Sequence, residues 1–245
     1  MEMGLRLISR LYLQLKRRIH RSVAGYLAPD RKTGVQFSLN PWGKMEFVKV
    51  DSPEIFFSKE KEILDKTIES VRDAFASPMD SQDVYNHLIH SQEVYLVFEN
   101  DSLIGMGGYS QRTFSGIPVL TIDGIAIRES FQGKGVFGRL TDRVLEKERL
   151  LCLRTQNPYM YRALQNKCRA IFPSREVETP PVIRLVRNEY ADSLNCVPDK
   201  NGVVKGCYGK SLYGKIKSHP DVSPFFQELN LDVSSGDGLL VVGVR

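Results

Sequence analysis

Residues 122–144, IDGIAIRESFQGKGVFGRLTDRV, constrain the fold of this chain more than any other stretch. A β-rich run leads through a loop that holds Gly133 and Gly135 into a predicted helix over residues 136–147. Glycine lets the backbone adopt positive φ and approach a ligand closely. A helix N-terminus offers unpaired N–H groups and a positive dipole end. The junction therefore predicts a binding site for a pyrophosphate, called here the pyrophosphate seat. The alternative interpretation is a glycine-rich turn that only reverses the chain.

The elements around this junction alternate between strands and helices. Apolar spacing predicts each element, and hairpin-linked strands mixed with helices favour an α/β or α+β fold with a mixed sheet. The spacing predicts strands at residues 46–50, 94–98, 103–112, 119–127, 150–155 and 239–244, and helices at 61–75, 81–90, 136–147, 158–166 and 183–193.

The glycines fit the motifs of two other phosphate-binding folds less well. Gly133, Gly135 and Gly138 match the G-x-G-x-x-G pattern of dinucleotide-binding folds. That fold needs an acidic residue about 20 residues further on, at the end of the next strand, but this strand ends in the letters TQN. Residues 209–211, GKS, end like a P-loop, yet Val204 stands where the P-loop requires its first glycine.

Residues 132–137, QGKGVF, resemble the Q/R-x-x-G-x-G/A signature of the GNAT superfamily of acyl-CoA-dependent N-acyltransferases. The element order over residues 46–173 is similar as well. The resemblance implies a mixed, mostly antiparallel central sheet flanked by helices, with a wedge between two strands for acyl-CoA. One departure is Phe137, which replaces the final Gly or Ala. Its ring either narrows the pyrophosphate seat or points into the core.

The resemblance also implies a site for acetyl-CoA, or another acyl-CoA, as co-substrate. Backbone groups of the strand before the loop would bind the acyl carbonyl and the pantetheine arm, and loop N–H groups would hold the pyrophosphate. An Asn after the next strand would bond the cofactor arm. The residues so implied are Ile125, Ala126, Ile127, Gln132, Gly133, Lys134, Gly135, Val136, Phe137, Gly138 and Asn157.

Asp123 is the first candidate for the general base that an attacking amine requires. Strand alternation places its side chain on the same face as those of Ile125 and Ile127. Burial among apolar residues would raise the pKa of this carboxyl toward neutrality. The alternative is a structural carboxylate paired with Arg112 or Arg128.

GNAT members often use a Tyr on the helix after the second wedge strand as general acid for the thiolate. The matching position here is Leu164. Tyr161 lies one turn earlier on the same helix face, so it is the predicted acid, with Tyr159 as second choice. The alternative for either residue is an ordinary packed aromatic.

The basic charge of the chain lies at its N-terminus. Residues 1–34 carry eight Lys or Arg and two acids, a net charge of +6, whereas the whole chain carries +5. The remainder is near neutral, which argues against a nucleic-acid-binding domain. Residues 5–23 have helical apolar spacing between arginines. They predict a helix that packs on the body, binds an anionic membrane, nucleic acid or a protein partner, or serves as a transit peptide.

The four cysteines lie at positions 152, 168, 196 and 207 without any CxxC pair, and the four histidines lack zinc-finger spacing. We therefore expect no metal. No long apolar run predicts a membrane span, and no export signal is visible. These features predict a cytoplasmic protein, with peripheral membrane association as an addition through residues 1–34.

We expect an N-terminal helix and linker at residues 1–45 and a catalytic domain at 46–245. The domain includes an extension at about 174–238, in which residues 201–214 form a hairpin or mobile flap. The predicted function is transfer of an acyl group, in the first place acetyl, from acyl-CoA to an amine of a small molecule or peptide. The alternatives are a non-catalytic acyl-CoA-binding or interaction module on the same fold and a dinucleotide-dependent enzyme.

Overall fold

The computed structural model describes residues 35–38, 45–145 and 150–245, with backbone alone for residues 35–38. The predicted basic helix at residues 5–23 lies outside these ranges, as do residues 146–149 at the predicted end of the helix after the loop. No helix in the described ranges is long and apolar enough to cross a bilayer.

A nine-stranded sheet runs through the described residues in the order β1-β2-β3-β4-β5-β6-β9-β7, with β8 also paired to β9. Every neighbouring pair is antiparallel except β5 and β6, which are parallel. The strands are β1 Val35–Ser38, β2 Met45–Val50, β3 Glu93–Glu99, β4 Ser102–Phe114, β5 Ile117–Ile127, β6 Leu150–Thr155, β7 Ala170–Phe172, β8 Val203–Val204 and β9 Gly238–Val244. The predicted mixed, mostly antiparallel sheet is confirmed.

Helices cover both faces of the sheet. They are α1 Pro53–Lys59, α2 Lys61–Phe75, α3 Ser81–His90, α4 Val136–Val144, α5 Pro158–Gln165, α6 Pro181–Ser193 and α7 Ser223–Glu228. Local chemistry sets several of these boundaries. Asp80 caps α3 by accepting hydrogen bonds from the N–H groups of Gln82 and Asp83 at 2.8 and 3.2 Å, and α2 ends at Ala76, whose φ is +48°.

Period-two alternation divides the core between the two faces. Along β6, Leu151 and Leu153 pack in a cluster with residues of α4, α5 and α7, whereas Leu150 and Cys152 pack with α6 on the opposite face. A further cluster joins α1, α2 and α3 to β2, β3 and β4. Since neighbouring strand residues point to opposite faces, α4, α5 and α7 cover one face, and α1, α2, α3 and α6 cover the other.

The parallel pairing of β5 with β6 ends before either strand does. Its register runs from Val119 opposite Leu150 to Ile122 opposite Leu153. Beyond these partners β5 continues to Ile127 beside β4, and β6 continues beside β9. The two strands therefore separate and leave the wedge that the family resemblance implies.

Several boundaries differ from the predictions. The strand Val35–Ser38 lies in the segment that we assigned to a linker, and it pairs with β2. Helix α1 was not predicted, although Pro53 at its first turn is a typical start signal. Helix α4 ends at Val144, because Leu145 has extended dihedral angles. The predicted hairpin at residues 201–214 is wrong, since Val203–Val204 pairs with β9 instead of a neighbouring strand.

Replacing Asp80 by Ala should lower the free energy of unfolding by about 1 kcal/mol, because two N–H groups at the start of α3 lose their acceptor. Urea unfolding followed by circular dichroism measures the loss. Asp80→Asn keeps a capping oxygen and should stay within a few tenths of a kcal/mol of wild type. Equal losses in both variants would contradict the capping role.

Candidate functional site

The glycine-rich loop joins β5 to α4 and leaves its backbone open. Gly133 and Gly135 both have φ of +74°, and a Cβ built on either residue would meet no heavy atom within 4 Å. Gly135 is also the N-cap of α4, and no described side chain caps this helix. The first N–H groups of α4 therefore lack a side-chain acceptor, an arrangement that binds anionic groups well.

The side chains around the loop have different orientations. Gln132 donates from Nε2 to the Ile127 carbonyl at 2.8 Å and to the Ala74 carbonyl at 3.3 Å, so it ties the loop to the end of α2. Lys134 is exposed, and its Nζ lies 4.9 Å from the centre of the Phe131 ring.

Val136 and Phe137 point into the protein. They are 1% and 8% exposed and pack in the cluster beneath α4. Only their backbone N–H groups can reach a ligand at the loop. The ring of Phe137 therefore fills core space, and the departure from the family signature does not narrow the seat.

Lys167 is a cation of this site that sequence reasoning missed. A Cβ built on Gly138, in the first turn of α4, would lie 3.2 Å from its Cε and 3.4 Å from its Nζ. Its ammonium forms an ion pair with Asp142 on the same helix. No local pattern links position 167 to the loop, because the contact depends on how α5 packs beside α4.

Ile125, Ala126 and Ile127 form the β5 side of the wedge. Ile125 and Ile127 pack against the cluster of α4, and Ala126 packs against the cluster of α2 and α3. Gly107 and Gly105 of β4 lie opposite Ile125 and Ile127. The structure thus brings these three residues to the separated edge of β5, directly before the loop.

Asp123 is the extra residue of a β-bulge. Tyr109 pairs with Ile122 and Gly108 pairs with Gly124, which leaves Asp123 without a partner in the register with β4. Ile122 and Ile125 consequently share one face although they are three residues apart. The expectation that Asp123 shares a face with Ile125 and Ile127 is therefore wrong, because the bulge shifts the alternation by one residue.

Two hydroxyl groups hold the Asp123 carboxylate. Ser110 donates from Oγ to Oδ2 at 2.6 Å, and Thr121 donates from Oγ1 to Oδ1 at 2.9 Å. The expected alternative partners, Arg112 and Arg128, make neither of these bonds. The two hydrogen bonds therefore fix the orientation of the carboxylate.

His87, on α3, lies against the same bulge and was not singled out from the sequence. Its Nε2 is 2.6 Å from the backbone carbonyl of Asp123. A Cβ on Gly124 would approach that nitrogen to 2.7 Å. Glycine at this position lets the imidazole lie on the strand backbone, so the ring contacts the main chain of the bulge.

Asn157 begins α5 at the end of β6. Its Oδ1 caps the helix by accepting from the N–H of Tyr159 at 2.9 Å. Its Nδ2 donates to the Tyr213 hydroxyl at 3.2 Å. The side-chain amide of Asn157 is thus oriented at both ends and lies beside the open end of the wedge.

The two tyrosines of α5 lie in different environments. Tyr161 is 2% exposed and donates from Oη to the Pro173 carbonyl at 2.7 Å, and burial raises its pKa. This arrangement is that of a packed aromatic. Tyr159 is 51% exposed, with its ring 5.1 Å from that of His219.

Tyr213, in the stretch predicted as a hairpin or mobile flap, lies beside the wedge. Besides accepting from Asn157, its ring stacks on Phe75 with 4.8 Å between centroids. Burial raises the pKa of Tyr213 to about 12, so its phenol is protonated at neutral pH.

Among the described residues no group of three metal-ligating side chains occurs, and the four cysteines are free thiols.

Residues 61–156 match the family described as "Acetyltransferase (GNAT) family". The matched segment runs from the first residue of α2 to Gln156, which follows β6. It therefore contains the bulge, the loop and α4. The sequence matches no curated relative.

Three solved structures share part of the architecture. A Pyrococcus horikoshii protein described as an acetyltransferase is 14% identical with a TM-score of 0.40, over 54% of this chain and 46% of its own. A GCN5-related N-acetyltransferase from Kribbella flavida is 20% identical with a TM-score of 0.34, over 48% and 33%. A GNAT family acetyltransferase from Elizabethkingia anophelis, with acetyl-CoA bound, is 16% identical with a TM-score of 0.36, over 72% and 89%.

The chain thus spans less than half the length of the first two of these structures. At these TM-scores the similarities to solved structures do not support a family assignment. The assignment rests on the family match to the segment that holds the wedge and the loop. Residues 61–156 accordingly match the GNAT acetyltransferase family, which confirms the resemblance found in the sequence.

Proposed function

We propose that this protein is an N-acetyltransferase that transfers an acetyl group from acetyl-CoA to an amine of a small molecule or peptide. The observation that carries the proposal is the open, uncapped loop at Gly133 and Gly135, which directly follows the wedge between β5 and β6. A backbone cradle beside a cleft between strands suits a long ligand with a charged pyrophosphate at one end and a reactive group at the other.

The chain supplies groups for each part of such a ligand. The N–H groups of residues 133–138 would hold the pyrophosphate, with the ammonium groups of Lys134 and Lys167 adding positive charge. The backbone edge of Ile125, Ala126 and Ile127 and the amide of Asn157 would orient the pantetheine arm. When bound, acetyl-CoA supplies an activated thioester, whose carbonyl oxygen is stabilised by backbone donors.

Asp123 is the proposed general base. Its carboxylate would accept the proton that the attacking amine loses, directly or through a water molecule. The new amide C–N bond would form as the thioester C–S bond breaks, and CoA would leave as the thiolate, which takes a proton from solvent. The hydroxyls of Ser110 and Thr121 hold both oxygens, so the carboxylate keeps one orientation. The bulge places this group where β6 leaves β5. Tyr161 has no part in this proposal, because its hydroxyl donates to Pro173 inside the core.

A non-catalytic acyl-CoA-binding module is the second candidate, and one observation favours it. At the two α5 positions considered for a general acid, the hydroxyl of Tyr161 is buried and bonded to Pro173, and Leu164 has no hydroxyl. Such a module would bind acetyl-CoA with the same loop but would release no CoA when amines are added.

Replacing Gly135 by Val should weaken acetyl-CoA binding by about a hundredfold, since a β-branched residue at φ of +74° strains the loop and its side chain covers the backbone cradle. Calorimetric titration with acetyl-CoA, with CoA and NADH for comparison, measures the effect. Gly116 is the matched control because it has the same φ and equally open space. Gly116→Val should lose similar stability but keep wild-type affinity. Equal affinity in both variants would exclude the loop as the binding site.

Replacing Asp123 by Asn should lower turnover with a responsive amine by about 10²–10⁴-fold, the range typical of general-base catalysis. The neutral amide cannot take the proton, but its Oδ1 can accept from one of the two hydroxyls and its Nδ2 can donate to the other, so acetyl-CoA affinity should change by less than about threefold. CoA release in an amine panel measures the rate. The exposed Asp83→Asn variant is the control. Full turnover in Asp123→Asn would remove Asp123 from the mechanism. If the wild-type protein releases no CoA with any amine, that result would favour the binding module.

A further inference from the structure

A cavity of about 590 Å³ lies beside Arg154 of β6. Its other walls are residues 194–199, which follow α6, and residues of the segment 203–207, which holds β8. Most of the lining side chains are apolar or thiols, and the volume suits a small molecule. The family match ends at Gln156, so every wall of this cavity except Arg154 lies outside the matched segment.

The guanidinium of Arg154 is held in one orientation without a carboxylate partner. It lies over the Tyr208 ring, with 4.5 Å from Cζ to the ring centre. A Cβ on Gly238 of β9 would lie 2.9 Å from Cε2 of Tyr208 and 3.4 Å from Cγ of Arg154. In the described part of the chain no carboxylate forms an ion pair with Arg154. Arginine binds carboxylates through two parallel hydrogen bonds, so an anionic ligand group would find its partner here.

The other charged residues that line the cavity already have partners. Lys205 donates from Nζ to Oδ2 of Asp237 at 2.7 Å. Asp199 accepts on Oδ1 from two N–H groups of its own loop, both at 2.8 Å. Among the charged groups of this lining, Arg154 is therefore the one that the described residues leave for a ligand.

Arg154 and Asp123 occupy equivalent positions on the two sides of the wedge. The parallel ladder ends with Ile122 opposite Leu153, and Asp123 and Arg154 are the next residues of the two strands. Paired strands lie roughly 5 Å apart, and these two diverge from this point. Although the structure describes both side chains, no ion pair joins them. Two opposite charges thus face a gap at the start of the wedge.

Both side chains lie on the α6 face of the sheet. The Asp123 carboxylate bonds Thr121, which pairs with Cys152 of the α6 cluster. Arg154 follows Cys152 by two residues, so strand alternation directs it to the same face. Burial raises the pKa of the Tyr190 phenol on α6, and the charge of Asp123 adds to that shift whereas the charge of Arg154 opposes it. One phenol senses both charges, which supports their placement on one face.

We propose that the amine acceptor is an amino acid, whose carboxylate binds Arg154 while its amine faces Asp123. This inference rests on the proposed function and names the acceptor class. The pyrophosphate seat starts α4 on one face of the sheet, whereas the cavity lies on the α6 face. Donor and acceptor would therefore reach the wedge from opposite faces. The nitrogen gains the acetyl group and gives its proton to Asp123, CoA leaves, and the carboxylate at Arg154 is unchanged. The rest of the amino acid extends into the cavity.

The test measures CoA release from acetyl-CoA by the full chain with the twenty common amino acids, β-alanine and 4-aminobutyrate, each beside its carboxamide. The carboxamide keeps the amine and the side chain but removes the negative charge. For the best acceptors of the wild type, kcat/KM should be at least about tenfold higher for the acid than for the amide, because hydrogen bonds between charged groups are stronger than neutral ones.

Variants of Arg154 test the assigned contact. Arg154→Gln should lower kcat/KM for the best acid by about 10–100-fold and that for its amide by less than about threefold. Arg154→Lys keeps the charge without the paired donors, so it should lose about three- to tenfold, and it decides the matter if Arg154→Gln does not fold. Arg143→Gln is the matched control, since Arg143, in the last turn of α4, lies over the Phe47 ring at the same 4.5 Å. Acetyl-CoA affinity, measured by calorimetry, should stay within about threefold in all three variants.

A wild-type protein that uses amides as well as acids, or folded Arg154 variants with the wild-type ratio, would overturn the amino-acid acceptor and leave the acetyltransferase standing. A wild-type protein that releases no CoA with any amine would overturn both. A preference for the acid that Arg154→Gln abolishes and Arg143→Gln retains would establish Arg154 as the residue that binds the acceptor carboxylate.

Discussion

The separation of β6 from β5 after Ile122 and Leu153 is the feature on which the rest of the candidate site depends. In a continuous ladder the backbone groups beyond this point would bond each other, because buried N–H and C=O groups need partners. Here the strands diverge instead, and the bulge at Asp123 follows at once. The bulge turns Ile125 and Ile127 toward the α4 core, which anchors β5 without the help of β6.

Hydrogen bonds join the ends of both divergent strands to the end of α2. Gln132 links the end of β5 to α2, and residues 207–217 link the end of β6 to α2 through Gln156 and Gly214. Each of these hydrogen bonds contributes only about 1 kcal/mol to stability. Together they make the end of α2 a common support for both sides of the wedge, so the C-terminal extension is part of the site's architecture.

The sequence predicted elements whose boundaries depend on local chemistry. Helix α3 begins and ends where expected, since Asp80 provides a cap before residue 81. The open loop followed from two glycines between a strand and a helix. The bulge at Asp123 was not predictable from apolar alternation. A bulge places one extra residue in a strand, and no particular residue type in the sequence marks it. The contacts of Lys167 and Tyr213 were not predictable for another reason: they depend on tertiary packing between distant segments, which no local spacing encodes.

The most direct measurement of the central claim is an amide NMR titration of the full chain with acetyl-CoA. If the wedge and loop form the donor site, the largest saturable shift changes should fall on the amides of Gly133, Gly135 and Gly138 and of Ile125 to Ile127. Smaller changes should reach Asn157 through its side-chain amide. Saturable changes confined to the outer face of α6 or to the turn at Gly116, or no change at all, would contradict the assignment of this site.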